Sequence, residues 1–363
     1  MLLNEIISLR GALHEIPERS GQEQQTIQTL LNFLNRCTTL ELHPRDGWFY
    51  ALHREPGTER TIAVRGDMDA IENSGGTLFH GCGHDGHSAI LAGLGAAWEG
   101  TICGKNVCLV FQPAEETGAG GARVCEALLR ELRPKRILGY HNIPGAPVGT
   151  VLLRPGTFAC ASLGLAIEVE GQQSHAAYPE QGKNPAYLLS EMVLRLPELI
   201  AQISEGNRER LLMATVVQLK VGERNFGVSA GTGALALTLR GNRQEDLETL
   251  EHSIVALVQE GCASRGMCCR FQRQDVFPDT VNHKEVYAQV EKILRRTGAP
   301  TQVLPEPMRW SEDFGWYLHQ IPGVYLGFGA GETCCGLHTD GYAFPDSVLE
   351  PAINTLKSLV KNL

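Results

Sequence analysis

From Met1 to about Pro155, short aliphatic and β-branched runs alternate with stretches whose apolar positions recur at helical spacing. "RTIAVRGDMDA", "NVCLVFQPAEE" and "KRILGYHN" each read as a buried strand that ends in polar residues. Between them, "DGHSAILAGLGAAWEG" and "GARVCEALLRELR" carry helical patterns, and one more strand, "GVYLGFGAG", follows much later. Strand–helix alternation at this spacing predicts an α/β domain with a mostly parallel sheet.

The middle of the chain has a different rhythm. "SLGLAIEVEGQ" alternates like a half-exposed strand, and a helix follows from about Pro185 to Ile203. Then come the strand-like "LLMATVVQLKVG" and "GALALTLRGN", a helix over "QEDLETLEHSIVALVQEG", and the strand-like "MCCRFQRQDV". The order β-α-β-β-α-β is that of a ferredoxin-like α+β unit. The expected organisation is a catalytic α/β domain over residues 1–159 and 276–363, interrupted by a smaller domain over 160–275.

Bulk properties narrow the class. A chain of 363 residues exceeds one ordinary core, which fits two domains. With 43% hydrophobic and 20% charged residues it is neither disordered nor fibrous. A net charge of −9 argues against nucleic acid as a partner. Glu5 and Arg10 interrupt the apolar N-terminal segment, making it an amphipathic helix rather than a signal peptide. No apolar run approaches the length needed to span a bilayer, so no membrane association is expected. Eleven cysteines without framework spacing, including the adjacent pairs Cys268–Cys269 and Cys334–Cys335, suit reduced thiols in a cytoplasmic protein.

One stretch concentrates chemistry. "GCGHDGHSAIL", Gly81 to Leu91, holds Cys82, His84, Asp85 and His87 at the head of a helical pattern. Three readings compete: a structural metal clip, a cysteine nucleophile with its base, and half of a catalytic metal site. A closed structural zinc site wants several cysteines in paired motifs, and no CxxC exists. Cys82 with His84 as base fails because such near neighbours on a loop rarely face each other productively.

The remaining reading draws support from the other strand ends. Asp67 and Asp69, Glu115 and Glu116, His141 and His338 each follow a candidate strand. In open α/β sheets the site lies beyond the carboxyl ends of the strands, where these groups would meet. Singly, each has a plainer account: a buried thiol, a packed histidine, a solvated glutamate pair at a helix start. Their coincidence at four strand ends outweighs those accounts. His87, one turn into the helix, reads as packing or as support for a ligand. If Glu116 binds metal, Glu115 is placed to act on the attacking water as general base and then acid.

The ordered motifs "LHEIPERSGQEQQT", "RGDMDA", "GCGHDGHSAIL", "FQPAEETGAGGARV", "GYHNIP", "GQQSHAAYPEQGKNP", "SEDFGWYL" and "GLHTDGYAFPD" span the chain. In this order they resemble the dimetal amidohydrolases and peptidases that include hippurate hydrolase, bacterial aminoacylases and the plant auxin-conjugate hydrolases. The resemblance implies a metal-binding catalytic domain with an inserted dimerisation or lid domain. It implies two divalent ions (Zn, Mn, Co or Ni) on Cys82, His84, Glu116, His141 and His338, with Cys82 bridging. Glu115 matches the general base, Asp69 an orienting group, and His175 a lid histidine that reaches the active site of a partner subunit in a homodimer. Asn225 matches a second polar lid residue, although "RNFGVSAGT" departs from the family pattern there. Asp67 stands where distant relatives have a histidine ligand, and it is left out of the ligand set.

Two further departures bear on substrate. Only eleven residues separate "DMDA" from "CGHD", and "LHT" replaces the usual "LHN" or "LHS". The resemblance implies hydrolysis of N-acyl or N-aroyl amino acids. The alternatives are a dipeptidase or exopeptidase using the same metals, and a metal-binding homologue without activity. "GFGAGE" looks like a phosphate loop, but no helical pattern follows it, so it reads as a turn.

Overall fold

Thr61–Asp67, Asn106–Gln112, Arg136–Ile143 and Gly323–Gly329 form the centre of an eight-stranded sheet. All four are parallel, with Asn106–Gln112 and Arg136–Ile143 flanking Thr61–Asp67, and Gly323–Gly329 beyond Arg136–Ile143. Nearly every residue in them is buried. Burial on both faces explains why these runs show no polar–apolar alternation. Antiparallel strands Trp48–His53 and Glu41–Arg45 extend one edge, and Val151–Leu153 with Thr301–Val303 complete the other. Glu41–Arg45 ("ELHPR") is largely exposed and Val151–Leu153 and Thr301–Val303 are three residues each, so the hydrophobic pattern does not mark them; Trp48–His53 ("WFYALH") is apolar and buried, a strand beyond those expected from the sequence.

Helix His84–Trp98 is buried almost throughout and packs on the sheet. Its small residues admit helices Leu2–His14, Gln24–Cys37 and Leu349–Asn362 on its outer side. Because the four central strands share one direction, their carboxyl ends open on one edge of the sheet. Asp67, the 112–116 segment and His141 are delivered there together.

A second sheet has the order Leu212–Val221, Thr232–Gly241, Ala161–Glu170, Cys268–Phe277, antiparallel throughout. Leu163, Leu165, Ile167 and Val169 are buried on one face of Ala161–Glu170, while Glu168 and Glu170 are exposed on the other. The apolar face is covered by helices Pro185–Ser204 and Gln244–Arg265 through Leu188, Met192, Leu250 and Ile254. Each such buried leucine contributes about 1.5–3 kcal/mol over an exposed one. The expected fold class holds: a mostly parallel α/β sheet and a split β-α-β-β-α-β unit.

The computed structural model describes residues 2–205 and 210–363. They divide into one unit running up to Phe158 with Thr280–Pro307 and Asp313–Leu363, and another of Ala159–Asp279 with Met308–Glu312. The short return at Met308–Glu312 leaves no mark in the sequence. It is held by Cys160 N–H, donated to Met308 O (3.1 Å) and Trp310 O (3.2 Å), and by Arg240, donated to Ser311 Oγ at 2.9 Å. Among the described residues no helix is long and apolar enough to cross a membrane.

Candidate metal centre

Gly83 precedes helix His84–Trp98 in the left-handed conformation (φ +89°), and a Cβ there would lie 2.6 Å from Tyr342 Oη. Only glycine meets both demands. The tight turn places Cys82 and His84 side by side at the carboxyl edge of the sheet, both buried. Cys82 Sγ lies 3.4 Å from Nε2 of His141 and 3.4 Å from Nε2 of His338. His84 Nε2 lies 3.8 Å from Glu116 Oε1, and His338 Nε2 3.7 Å from Glu116 Oε2. Two donor groups therefore share the thiol: Cys82 with His84 and His141, and Cys82 with Glu116 and His338.

These spacings suit metal ligation. With bonds of about 2.0–2.1 Å to nitrogen and about 2.3 Å to sulfur, tetrahedral neighbours sit about 3.3–3.6 Å apart. A second observation agrees: His84 Nε2 and Glu116 Oε1 are buried without a hydrogen-bond partner among the described residues. Leaving such atoms bare is costly, and a cation between them removes the cost. His84 Nδ1 faces Asp69, 3.0 Å from its carbonyl oxygen and 3.1 Å from Oδ1, which turns Nε2 toward the donors. His338 adopts φ +62° and donates its N–H to Gly81 O at 2.8 Å, bringing this half-exposed loop residue to the Cys82 turn.

Electrostatics point the same way. Burial, reinforced by the charges of Glu116 and Glu115, pushes the Cys82 thiol well above its usual pKa. Burial also lifts Glu116 to about 7; Asp69 and Asp67 add to this and His84 opposes it. Burial disfavours charge on His84, but Asp67 and Asp69 outweigh it and raise the imidazole to about 10. Burial and the neighbouring His87 hold His141 well below the usual imidazole range. The pocket concentrates potential negative charge that a divalent cation would neutralise.

Glu115 is buried beside this cluster. Its Oε1 accepts the Asp313 N–H at 3.4 Å, and its Oε2 lies 3.9 Å from His84 Nε2. Gly120 lets its turn close tightly, since a Cβ there would lie 1.8 Å from Pro113 O. Asp67, His84 and His87 also cluster, but Asp67 is already engaged. Fully buried Arg65 donates to Asp67 Oδ2 and to Asp313 Oδ1, each at 2.6 Å. His87 spans Asp67 Oδ1 and Asn142 Oδ1, each at 2.6 Å, and Asn142 Nδ2 donates to Tyr342 Oη at 2.5 Å.

His175 and Asn225 lie in the second unit, both exposed. Their turns are joined by the Ala176 N–H donated to Gly227 O at 3.0 Å. His175 Nδ1 accepts the Ala177 N–H at 3.1 Å, which leaves the proton of the neutral ring on Nε2 as a donor. The short segment after Ala70 forms a small hairpin, Ile71–Glu72 with Leu78–Phe79. Arg65, Asn142, Tyr342 and Asp313 were not singled out from sequence. All lie within or beside the quoted motifs, where nothing distinguishes a network residue from its neighbours.

An α/β unit with a thiol, imidazoles and carboxylates converging at its strand ends defines a metal-dependent hydrolase. The model described as "Peptidase family M20/M25/M40" matches residues 63–362, and the chain belongs to that family. It is 30% identical to the N-acetyl-L-cysteine deacetylase of Bacillus subtilis over 90% of this chain and 81% of that one. It is 28% identical to the N-acetyldiaminopimelate deacetylase of Limosilactobacillus fermentum, over 98% of this chain and 96% of that one. Among solved structures it resembles a Bacillus subtilis protein described as a dinuclear metal binding peptidase of the M20 family. That match has a TM-score of 0.80 at 22% identity, covering 99% of this chain and 98% of that one. The protein is an enzyme that hydrolyses amide bonds with the help of metal.

Proposed function

We propose that this enzyme cleaves the amide bond of N-acyl or N-aroyl amino acids, and that Cys82, His84, His141, Glu116 and His338 would hold two divalent ions for it. The observation that carries the reading is the sharing of Cys82 between two donor groups, with Glu115 beside them. His84 and His141 complete one set; Glu116 and His338 complete the other. When bound, the ions acidify the attacking water and polarise the substrate carbonyl. Glu115 takes a proton from that water and passes it to the amide nitrogen as the C–N bond breaks, releasing a carboxylic acid and an amino acid. Asp69 keeps His84 in the ligating orientation.

The deacetylase names of the relatives support an acylated amino acid over a free dipeptide. A mixed sulfur, nitrogen and oxygen donor set suits Zn, and Mn, Co or Ni fit the same donors. The edge strand Leu212–Val221 exposes Val217 (65%) and Leu219 (45%), an apolar edge suited to pairing two copies as a homodimer. In that dimer the His175 Nε2–H serves as donor to the developing oxyanion of the partner copy's substrate, with Asn225 beside it. Eleven free cysteines fit a reducing cytoplasm. The test is a screen of N-acetyl and N-benzoyl amino acids against free dipeptides after reconstitution with each ion. Turnover confined to dipeptides overturns the substrate assignment.

A further inference from the structure

Behind the Glu115–Glu116 turn lies a carboxyl group that the proposed chemistry does not use. Glu23 is 1% exposed, and its Oε1 accepts two backbone N–H groups, those of Gly21 and Ala114, each at 2.8 Å. Ala114 directly precedes Glu115 and is left-handed (φ +54°), a conformation that Cβ-bearing residues avoid. Its carbonyl accepts the Gly120 N–H at 3.1 Å, closing the turn. The two glutamates that follow both approach His84 Nε2, at 3.9 and 3.8 Å, but diverge beyond it: Glu115 accepts the Asp313 N–H, and Glu116 faces His338.

The segment carrying Glu23 also grips the neighbouring loop. Ser20 Oγ donates to Asp69 Oδ2 at 2.6 Å, and the same oxygen accepts the Glu116 N–H at 3.0 Å. Glu18 O accepts the Ala70 N–H at 2.8 Å. Glu18 in turn caps helix Gln24–Cys37, its Oε2 accepting the Thr26 N–H at 2.9 Å, which anchors the segment to the core. The other oxygen of Glu23 is buried without a hydrogen-bond partner among the described residues. Burial and the nearby Asp69 charge raise this carboxyl to about 7, so the group is electrostatically unfavourable where it stands. An apolar side chain would fill the space without that strain but would offer Ala114 no acceptor.

We infer that Glu23 is a positioning residue: by holding Ala114 left-handed, it sets the separate directions of Glu115 and Glu116. This rests on the proposed roles of those two glutamates. Glu23→Gln keeps the acceptor and places an amide N–H where the unpartnered oxygen stood. Glu23→Asp is too short to reach Ala114, and Glu23→Ala has no acceptor.

The experiment compares these variants as metal-loaded full-length enzyme by steady-state kinetics, metal content, and amide hydrogen exchange of the peptide spanning residues 112–118. Glu23→Ala and Glu23→Asp should exchange faster there and keep their metal. They should lose about 10–100-fold in kcat, the scale expected for a displaced catalytic group, with KM within about twofold. Glu23→Gln should stay within about threefold of wild type, and Ala114→Gly should recover part of the Glu23→Ala loss by easing the left-handed turn. Wild-type exchange and kcat in Glu23→Asp overturn the inference, even if Glu23→Ala does not fold. Glu115→Gln in the same assay separates the two readings. Full activity there sinks the proposed chemistry, while the exchange data still decide what Glu23 holds.

Discussion

Replacing each member of the Glu115–Glu116 pair by glutamine separates base from ligand. Glu115→Gln leaves an amide oxygen to accept the Asp313 N–H, now taken at 3.4 Å, so the buried donor keeps its partner and the fold is not disturbed. It removes the only proton acceptor proposed for the attacking water. General-base catalysis contributes about two to four orders of magnitude, or about 2.7–5.4 kcal/mol of barrier. Turnover should fall by that factor with about two ions per chain retained. Glu116→Gln perturbs a different quantity. Its oxygens stand 3.8 Å from His84 Nε2 and 3.7 Å from His338 Nε2, and a neutral amide is a much poorer ligand there. Occupancy should fall toward about one ion per chain, with activity restored in part by excess metal. The assay is metal analysis of dialysed protein alongside kinetics at saturating and limiting metal. If Glu115→Gln loses metal while Glu116→Gln keeps it, the two roles are reversed.

Three further outcomes follow from the same geometry. Arg65→Met removes the buried guanidinium that Asp67 and Asp313 share, leaving them His87, Gln112 and the Gly121 N–H, and should cost about 3–5 kcal/mol in denaturant unfolding; a loss under about 1 kcal/mol refutes the clamp. At pH 7 the metal-free site holds protons on Cys82 and His84 and partly on Glu116, so loading should release about two protons or more per chain, and affinity should fall as pH falls. Calorimetry in buffers of different ionisation enthalpy measures this, and pH-independent affinity contradicts it. His175→Ala should dimerise, keep its metal and lose about 100-fold in rate, then regain activity when subunits exchange with Glu115→Gln; demonstrated exchange without recovery excludes a shared site.

The central strands were legible because burial on both faces leaves long apolar runs that few other structures tolerate. The split unit was legible for the opposite reason: one face of Ala161–Glu170 is less buried, so Leu163, Leu165, Ile167 and Val169 alternate with the small Gly164 and Ala166 and the charged Glu168 and Glu170. Donor chemistry was legible because carboxylates and imidazoles follow strand ends, Cys82 and His84 open a helix, and parallel strands share one carboxyl edge. Local pattern carries no information, however, about partners tens or hundreds of positions away. That Arg65 reaches Asp313, that Asn142 joins His87 to Tyr342, and that Glu23 holds Ala114 are facts of packing. So is the placing of Cys82 Sγ at 3.4 Å from two histidines, His141 and His338, that lie 59 and 256 residues further along the chain. The sequence determined which groups were available and at which edge of the sheet. Tertiary structure alone decided which nitrogen or oxygen of each faces the cluster around Cys82, because that depends on the hydrogen bonds its other atoms make, as Asp69 does for His84 Nδ1.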